Sequence, residues 1–240
     1  MEMICKKLTV IILAVAMMIA FMPALPFVET AYGGITPVSI NITVGGVSLD
    51  SGKYAITDDQ GEVTTSGATA SNYNVYYHKD AAGNYVLELR NANIKGVYDS
   101  NSSSSTYNPY GAGIYFSHND LDLTITLTGT NTVTGASGGL GSAAIFNGNS
   151  NFFATTTQYS SDLTINGTGS LTSSAPNMTG AYDCGIFSIG ALNIGESAKV
   201  TGVGGNLTSG AIVMAFSLGL CSYTGDINVS GASDVSGIAG

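Results

Sequence analysis

ITLTGTNTV (residues 125–133), LTINGTGSL (163–171), LNIGESAKV (192–200) and INVSGASDV (227–235) follow one nine-residue template, with apolar side chains at positions 1, 3 and 9. Positions 1 and 3 share one face of a strand, because side chains alternate along extended backbone. Position 5 is Gly129, Gly167, Glu196 or Gly231. A residue there must turn the chain so that position 9 returns to the same interior, and Gly does so at least steric cost. LELRNANI (87–94) is an earlier copy, one residue shorter before its last apolar position. A second short template precedes each full copy: Gly113-Ile114-Tyr115, Ala144-Ile145-Phe146, Gly185-Ile186-Phe187 and Ala211-Ile212-Val213. A small residue, Ile and then a large apolar residue reads as a short strand with tight packing behind it.

First positions of successive copies are 38, 29 and 35 residues apart. That spacing is too irregular for rigid hexapeptide coils. It fits an all-β, right-handed parallel β-helix, whose coils cannot bury their apolar faces alone and stack at about 4.8 Å. A β-sandwich or jelly roll is the competing fold, but it has no reason to repeat one template in series. Ile-to-position-1 intervals of 11, 18, 6 and 15 residues place inserts of variable length at one corner. In repeat proteins such inserts often form the binding face.

Outward from the repeats, three segments are expected. Residues 1–31 read as a secretory signal-peptide helix: Lys6 and Lys7, an uncharged apolar run over 8–21, then Pro23 and Pro26, with Ala24 or Ala31 before the cleavage point. The run is short for a membrane span, although an uncleaved anchor is the alternative, and Cys5 precedes the run, so it is not a lipobox cysteine. Residues 32–85 do not repeat and read as an N-terminal β cap over an otherwise open solenoid end. Residues 86–240 are the coils, and the sequence stops at Gly240, five residues past the last template. A fragment of a longer protein and a missing capping partner are the two readings of that end.

Composition sets further bounds. Gly accounts for 32 of 240 residues, Trp is absent and the net charge is −9. Thr, Val, Ile and Tyr interleaved with Gly and Asn point to strands and turns. After residue 31 the basic residues are Lys53, Lys79, Arg90, Lys95 and Lys199. So few cations argue against a nucleic-acid partner. Export permits a Cys184–Cys221 disulfide, but their positions do not align in the repeat and buried free thiols, acting as small hydrophobes, are the favoured reading.

The stretch VGGVSLDSGKY, then YVLELRNANI, then GAGIYFSHNDLDLTITLTGTNTVTG, resembles secreted clostridial and related gut-bacterial carbohydrate-binding-domain proteins. The resemblance spans roughly residues 40–240. It implies a right-handed parallel β-helix, secretion and, for a member of that family, calcium and acidic pectic polysaccharide. Its motifs are mostly structural, and the inserts at 147–162 and 214–226 depart from its pattern.

Two sets of residues are candidate sites. Asp122, Asp162 and Asp226 each directly precede a strand start, Asp120 joins the first, and Ala191 interrupts the column. Stacked carboxylates repel unless a cation such as calcium bridges them; the competing role is an Asp side chain bonding turn backbone. Tyr98, Tyr107 and Tyr110 flank a Ser-rich loop and offer rings and hydroxyls to a sugar, or else merely cover the coil edge. Tyr115, Phe146 and Phe187 recur at one template place and read as a stacked aromatic ladder in the core.

Catalytic constellations are scarce. One Arg follows residue 31, Asp58-Asp59 reads as a turn, and His78 and His118 lack metal-ligand spacing. The expected function is a secreted or surface-displayed, non-enzymatic polysaccharide-binding module, calcium-assisted if the Asp column holds a cation. The alternatives are an adhesive solenoid acting through protein contacts and, third, a polysaccharide lyase or hydrolase, which needs paired carboxylates or a calcium-bound base.

Overall fold

A computed structural model describes residues 40–98, 111–118, 120–137, 141–148, 160–177, 182–206 and 216–239. The leader over 1–31 lies outside the described residues. Four successive coils each contribute three strands: β8 (Ile114–Phe116), β9 (Leu123–Thr128) and β10 (Thr130–Thr134); β11 (Gly141–Asn147), β12 (Leu163–Gly167) and β13 (Ser170–Ser174); β14 (Tyr182–Ser188), β15 (Leu192–Ile194) and β16 (Lys199–Val203); β17 (Phe216–Ser222), β18 (Ile227–Val229) and β19 (Asp234–Ile238). Equivalent strands pair in parallel, coil on coil, into three sheets. The chain is a right-handed parallel β-helix.

Strands β1 (Ile42–Val44), β2 (Val47–Leu49), β3 (Lys53–Thr57), β4 (Val63–Thr64) and β5 (Val75–Lys79) come first, with antiparallel pairing. β6 (Tyr85–Arg90) pairs antiparallel with β5 on one side and parallel with β9 on the other. β7 (Asn93–Lys95) opens the sheet that continues through β10, β13, β16 and β19. The non-repeating segment therefore pairs with β8 through β1 and with β6 through β5, while β7 is the end strand of its own sheet. No helix among the described residues is long and apolar enough to cross a membrane.

The nine-residue template sets the register of its last three copies, and the first pairs two residues out of step, its position 1, Ile125, lying opposite position 3 of the second, Ile165. Leu123, Leu163, Leu192 and Ile227 align, as do Leu87, Ile125, Ile165, Ile194 and Val229. In the facing sheet Leu171, Val200 and Val235 align with one another and with Asn131, whereas Val133 aligns with Ile94 and Ser173. Most of these side chains are fully buried in one continuous core, where each Leu, Ile or Val contributes about 1.5–3 kcal/mol of burial free energy. Position 5 turns the chain as its role requires: Gly129, Gly167, Glu196 and Gly231 all have left-handed φ, from 60° to 103°.

The second template needs one correction. The strand that pairs with Gly185-Ile186-Phe187 is β17, with Ile186 opposite Leu220 and Phe187 opposite Cys221. The fourth copy is therefore Gly219-Leu220-Cys221. Ala211-Ile212-Val213 lies outside the described residues. Its β-branched apolar pattern is the stronger signal in sequence, yet Leu-Cys fills the same place with softer side chains. The small residue of this template marks a corner. A Cβ at Gly185 would come within 2.7 Å of three backbone atoms of neighbouring strands, so only Gly lets the two sheets close there.

Tyr115, Phe146 and Phe187 do align between coils, with Phe146 and Phe187 stacked at 4.9 Å. They sit apart from the main core, however. Phe187 belongs to a small second cluster with Ala143, Cys184, Ile189 and Cys221, against which Phe146 packs. Ile186 faces the interior while Phe187 faces this outer cluster, as alternation along a strand requires. Cys184 and Cys221 are buried free thiols. Their mutual hydrogen bond, together with burial, raises the Cys184 thiol above its ordinary value.

Candidate functional site

The sheet that runs β4-β3-β5-β6-β9-β12-β15-β18 turns one face to the core and the other outward. Strand alternation puts Val75, Tyr77, Leu87 and Leu89 inside, and Tyr54, Tyr76, His78 and Glu88 on the outer face. Tyr73, in the turn before β5, joins them. Tyr54 and Tyr76 stack at 4.2 Å, Tyr76 and His78 at 4.4 Å, and Tyr73 leans on Tyr54 at 5.1 Å.

Charge fixes this aromatic group in place. The Tyr73 hydroxyl and Arg90 Nη2 both donate to Glu88 Oε2, at 2.5 and 2.9 Å. His78 Nε2 lies 3.2 Å from Glu88 Oε1. The Arg90 guanidinium lies 4.1 Å from the Tyr73 ring centroid, within cation–π range. Burial opposes ionisation of Glu88, but the hydrogen bonds from Tyr73 and Arg90 and the Arg90 charge outweigh it and hold the carboxyl below its usual range. Burial, then the bond to Glu88, pushes the Tyr73 phenol up to about 12. The phenol is therefore a permanent donor at physiological pH. Every ring is half-buried, and Arg90 is 46% exposed.

From this cluster two columns of polar side chains cross the coils. Tyr54, Tyr76, Glu88, Thr126 and Asn166 are successive lateral partners. His78, Val86, Thr124, Thr164, Asn193 and Asn228 form the parallel column two residues away. Side chains in adjacent coils hydrogen-bond one another: the Thr126 hydroxyl donates to Asn166 Oδ1 at 3.0 Å, and Asn228 Nδ2 to Asn193 Oδ1 at 2.9 Å. The result is a flat surface with an aromatic, cationic end and a neutral hydrogen-bonding end.

Of the tyrosines singled out in the sequence, Tyr98 is partly exposed and lines an open cleft of about 490 Å³ with Gln60, Glu62, Lys95 and Val97. Tyr107 and Tyr110 lie outside the described residues. The structure stacks Asp122 and Asp162 on adjacent coils and uses one oxygen of each on backbone. Asp122 Oδ1 accepts the Asp162 N–H at 2.9 Å, and Asp162 Oδ1 accepts the Ala191 N–H at 2.7 Å. Asp226, at the same corner of the last coil, accepts the Leu192 N–H through its own carbonyl at 2.9 Å. Asp120 sits beside the column with left-handed φ of 57°. Among the described residues, no three His, Cys, Asp or Glu side chains converge as a metal ion would require.

Sequence reasoning missed the tyrosine cluster because its members are scattered through a segment that does not repeat. A signal was present: Tyr54, Tyr76, His78, Glu88 and Arg90 all occupy even positions in strands whose odd positions Ala55, Val75, Tyr77, Tyr85, Leu87 and Leu89 are buried. No family model, no curated protein and no solved structure matches the chain. Fold and local chemistry are what carry a functional reading.

Proposed function

We propose that the chain is an exported polysaccharide-binding module, secreted or displayed at a cell surface, that performs no chemistry on its ligand. One observation carries this reading: the outward-facing Tyr54–Tyr73–Tyr76 cluster, braced by Glu88 and Arg90, at the head of a flat hydrogen-bonding sheet face. Sugars present apolar C–H faces ringed by hydroxyls. Phenol rings with polar tips, an exposed guanidinium and neutral amides complement both parts. Bracing before binding removes an entropy cost that loose side chains would incur on complex formation. The solenoid, the acidic charge balance and the resemblance to carbohydrate-binding-domain proteins agree with this reading.

Arg90, beside Glu88 on the outer face and partly exposed, favours polymers that carry carboxylates. Calcium assistance through the Asp column is a further part of the proposal, in which the second carboxylate oxygens bind the ion. The test is retention of the chain on neutral and acidic polysaccharides, in calcium and in chelator, beside Tyr76→Ala and Arg90→Ala variants. Binding that Tyr76→Ala weakens at least about tenfold supports the site. Binding to a protein surface but to no glycan would favour the adhesive reading, in which the same tyrosines and Arg90 contact a protein partner.

A further inference from the structure

We infer that the bound polysaccharide lies along the solenoid axis, crossing the coils rather than following any one strand. This inference rests on the polysaccharide-binding reading and adds the direction and length of the occupied site. Its basis is the register. Tyr54, Tyr76, Glu88, Thr126 and Asn166 form one line perpendicular to the strands, and His78 to Asn228 form a second beside it. At the spacing of sheet strands the first line is about 19 Å long and the second about 24 Å.

Along the strands, by contrast, the outer face is short. β6 and β9 have six residues each, β12 has five and β15 and β18 have three each, so the face narrows away from the aromatic cluster and only one to three outward side chains are available per strand. A polymer that followed a strand would leave the platform within a few sugars. A polymer that crosses the strands meets one or two new side chains at every coil. It keeps the aromatic cluster at one end as an anchor.

The polar ends of these lines are prepared for a ligand. Asn166, at an outward position of β12, accepts from Thr126 through Oδ1, which leaves Nδ2 to donate. Asn193, at the outward position of β15, accepts from Asn228 through Oδ1 in the same way. Each amide is thus oriented by its neighbour in the adjacent coil while offering donors to an acceptor-rich polymer. Val86, between His78 and Thr124, supplies an apolar step in the second line, suited to a sugar's C–H face. Both lines are free of carboxylates beyond Glu88, so the far end repels neither neutral nor acidic chains.

The test uses calorimetry of the full chain with cello-oligosaccharides and oligogalacturonates of about two to six sugars, a range that spans the length of the platform. Affinity in one series is expected to rise with length until about four sugars are bound and then to level. Asn166→Ala combined with Asn193→Ala is expected to weaken the hexamer about fivefold or more and to leave the dimer unchanged, whereas Tyr76→Ala weakens both. Thermal melts of each variant check that the coils remain folded. Equal affinity for dimer and hexamer, an unaltered hexamer affinity in the Asn double variant, or binding of neither series would overturn the axial placement. If polysaccharides are still retained through Tyr76, the module reading survives that outcome; if no polysaccharide is retained, both fall.

Discussion

The Tyr73 hydroxyl lies 2.5 Å from Glu88 Oε2, so the phenol and the carboxylate share one proton-mediated contact at the head of the outer sheet face. Because Glu88 is held below its usual range, its share of stability is present above the ordinary glutamate value and is lost as pH falls through the lowered one. Glu88→Gln is expected to remove this acid limb and to cost about 1 kcal/mol at neutral pH. Urea unfolding of both proteins between pH 3 and 7 checks it. Parallel profiles would show that Glu88 does not organise the cluster.

Asp183 gives the opposite pH dependence. Its side chain is fully buried on β14, neither carboxyl oxygen has a hydrogen-bond partner among the described residues, and burial pushes its pKa up to about 6. A raised carboxyl stabilises the fold below its ordinary value near 3.8 and loses that contribution as pH rises through about 6. Asp183→Asn cannot ionise. Its stability relative to the parent should improve by about 3 kcal/mol between pH 3.5 and pH 7.5. Denaturant midpoints at those two pH values measure the difference, and a constant difference would mean that Asp183 is solvated when charged.

Glu196 is the one non-Gly residue at position 5 of the four full copies. It has left-handed φ of 60°, and its Oε2 accepts the Gly167 N–H of the preceding coil at 2.9 Å. Left-handed backbone costs a non-Gly residue about 1 kcal/mol, and a hydrogen bond to a charged acceptor offsets about 1.5–3 kcal/mol. Glu196→Ala keeps the strain and loses the bond, so it should be the least stable. Glu196→Gly loses both and should lie between Ala and the parent. Melting temperatures that rank Ala above Gly would contradict this account.

Asp162→Ala strips the Ala191 N–H of its acceptor and should destabilise the chain by about 1–2 kcal/mol. The same loss in calcium and in chelator shows a purely structural carboxylate. A calcium-dependent gain in melting temperature that the substitution abolishes assigns Asp162 to a cation site as well.

The interior was legible because burial imposes periodicity. Leu163 and Ile165 announce an inward face two residues apart, and Gly167 announces the turn. The fourth short strand was harder. Leu220-Cys221 carries a weaker apolar signal than Ile212-Val213, and only pairing with Ile186 and Phe187 decides between them. The binding face was least legible. Tyr54 and Glu88 are far apart in sequence and join one cluster only because Tyr76 of β5 lies between them. The Asp column was visible as a pattern, but its bonds run to the next coil, to Asp162 and Ala191 backbone, rather than to each residue's own turn.

Parallel pairing of coil on coil also gives the molecule a mechanical grain. In all three sheets the backbone hydrogen bonds point along the solenoid axis, while covalent chain runs around it. Tension across the axis is borne by covalent backbone and is stiffly resisted. Tension along the axis is borne by hydrogen bonds between successive coils, which give way coil by coil. A load applied around the girth leaves the prism intact, whereas the same load drawn from end to end peels it.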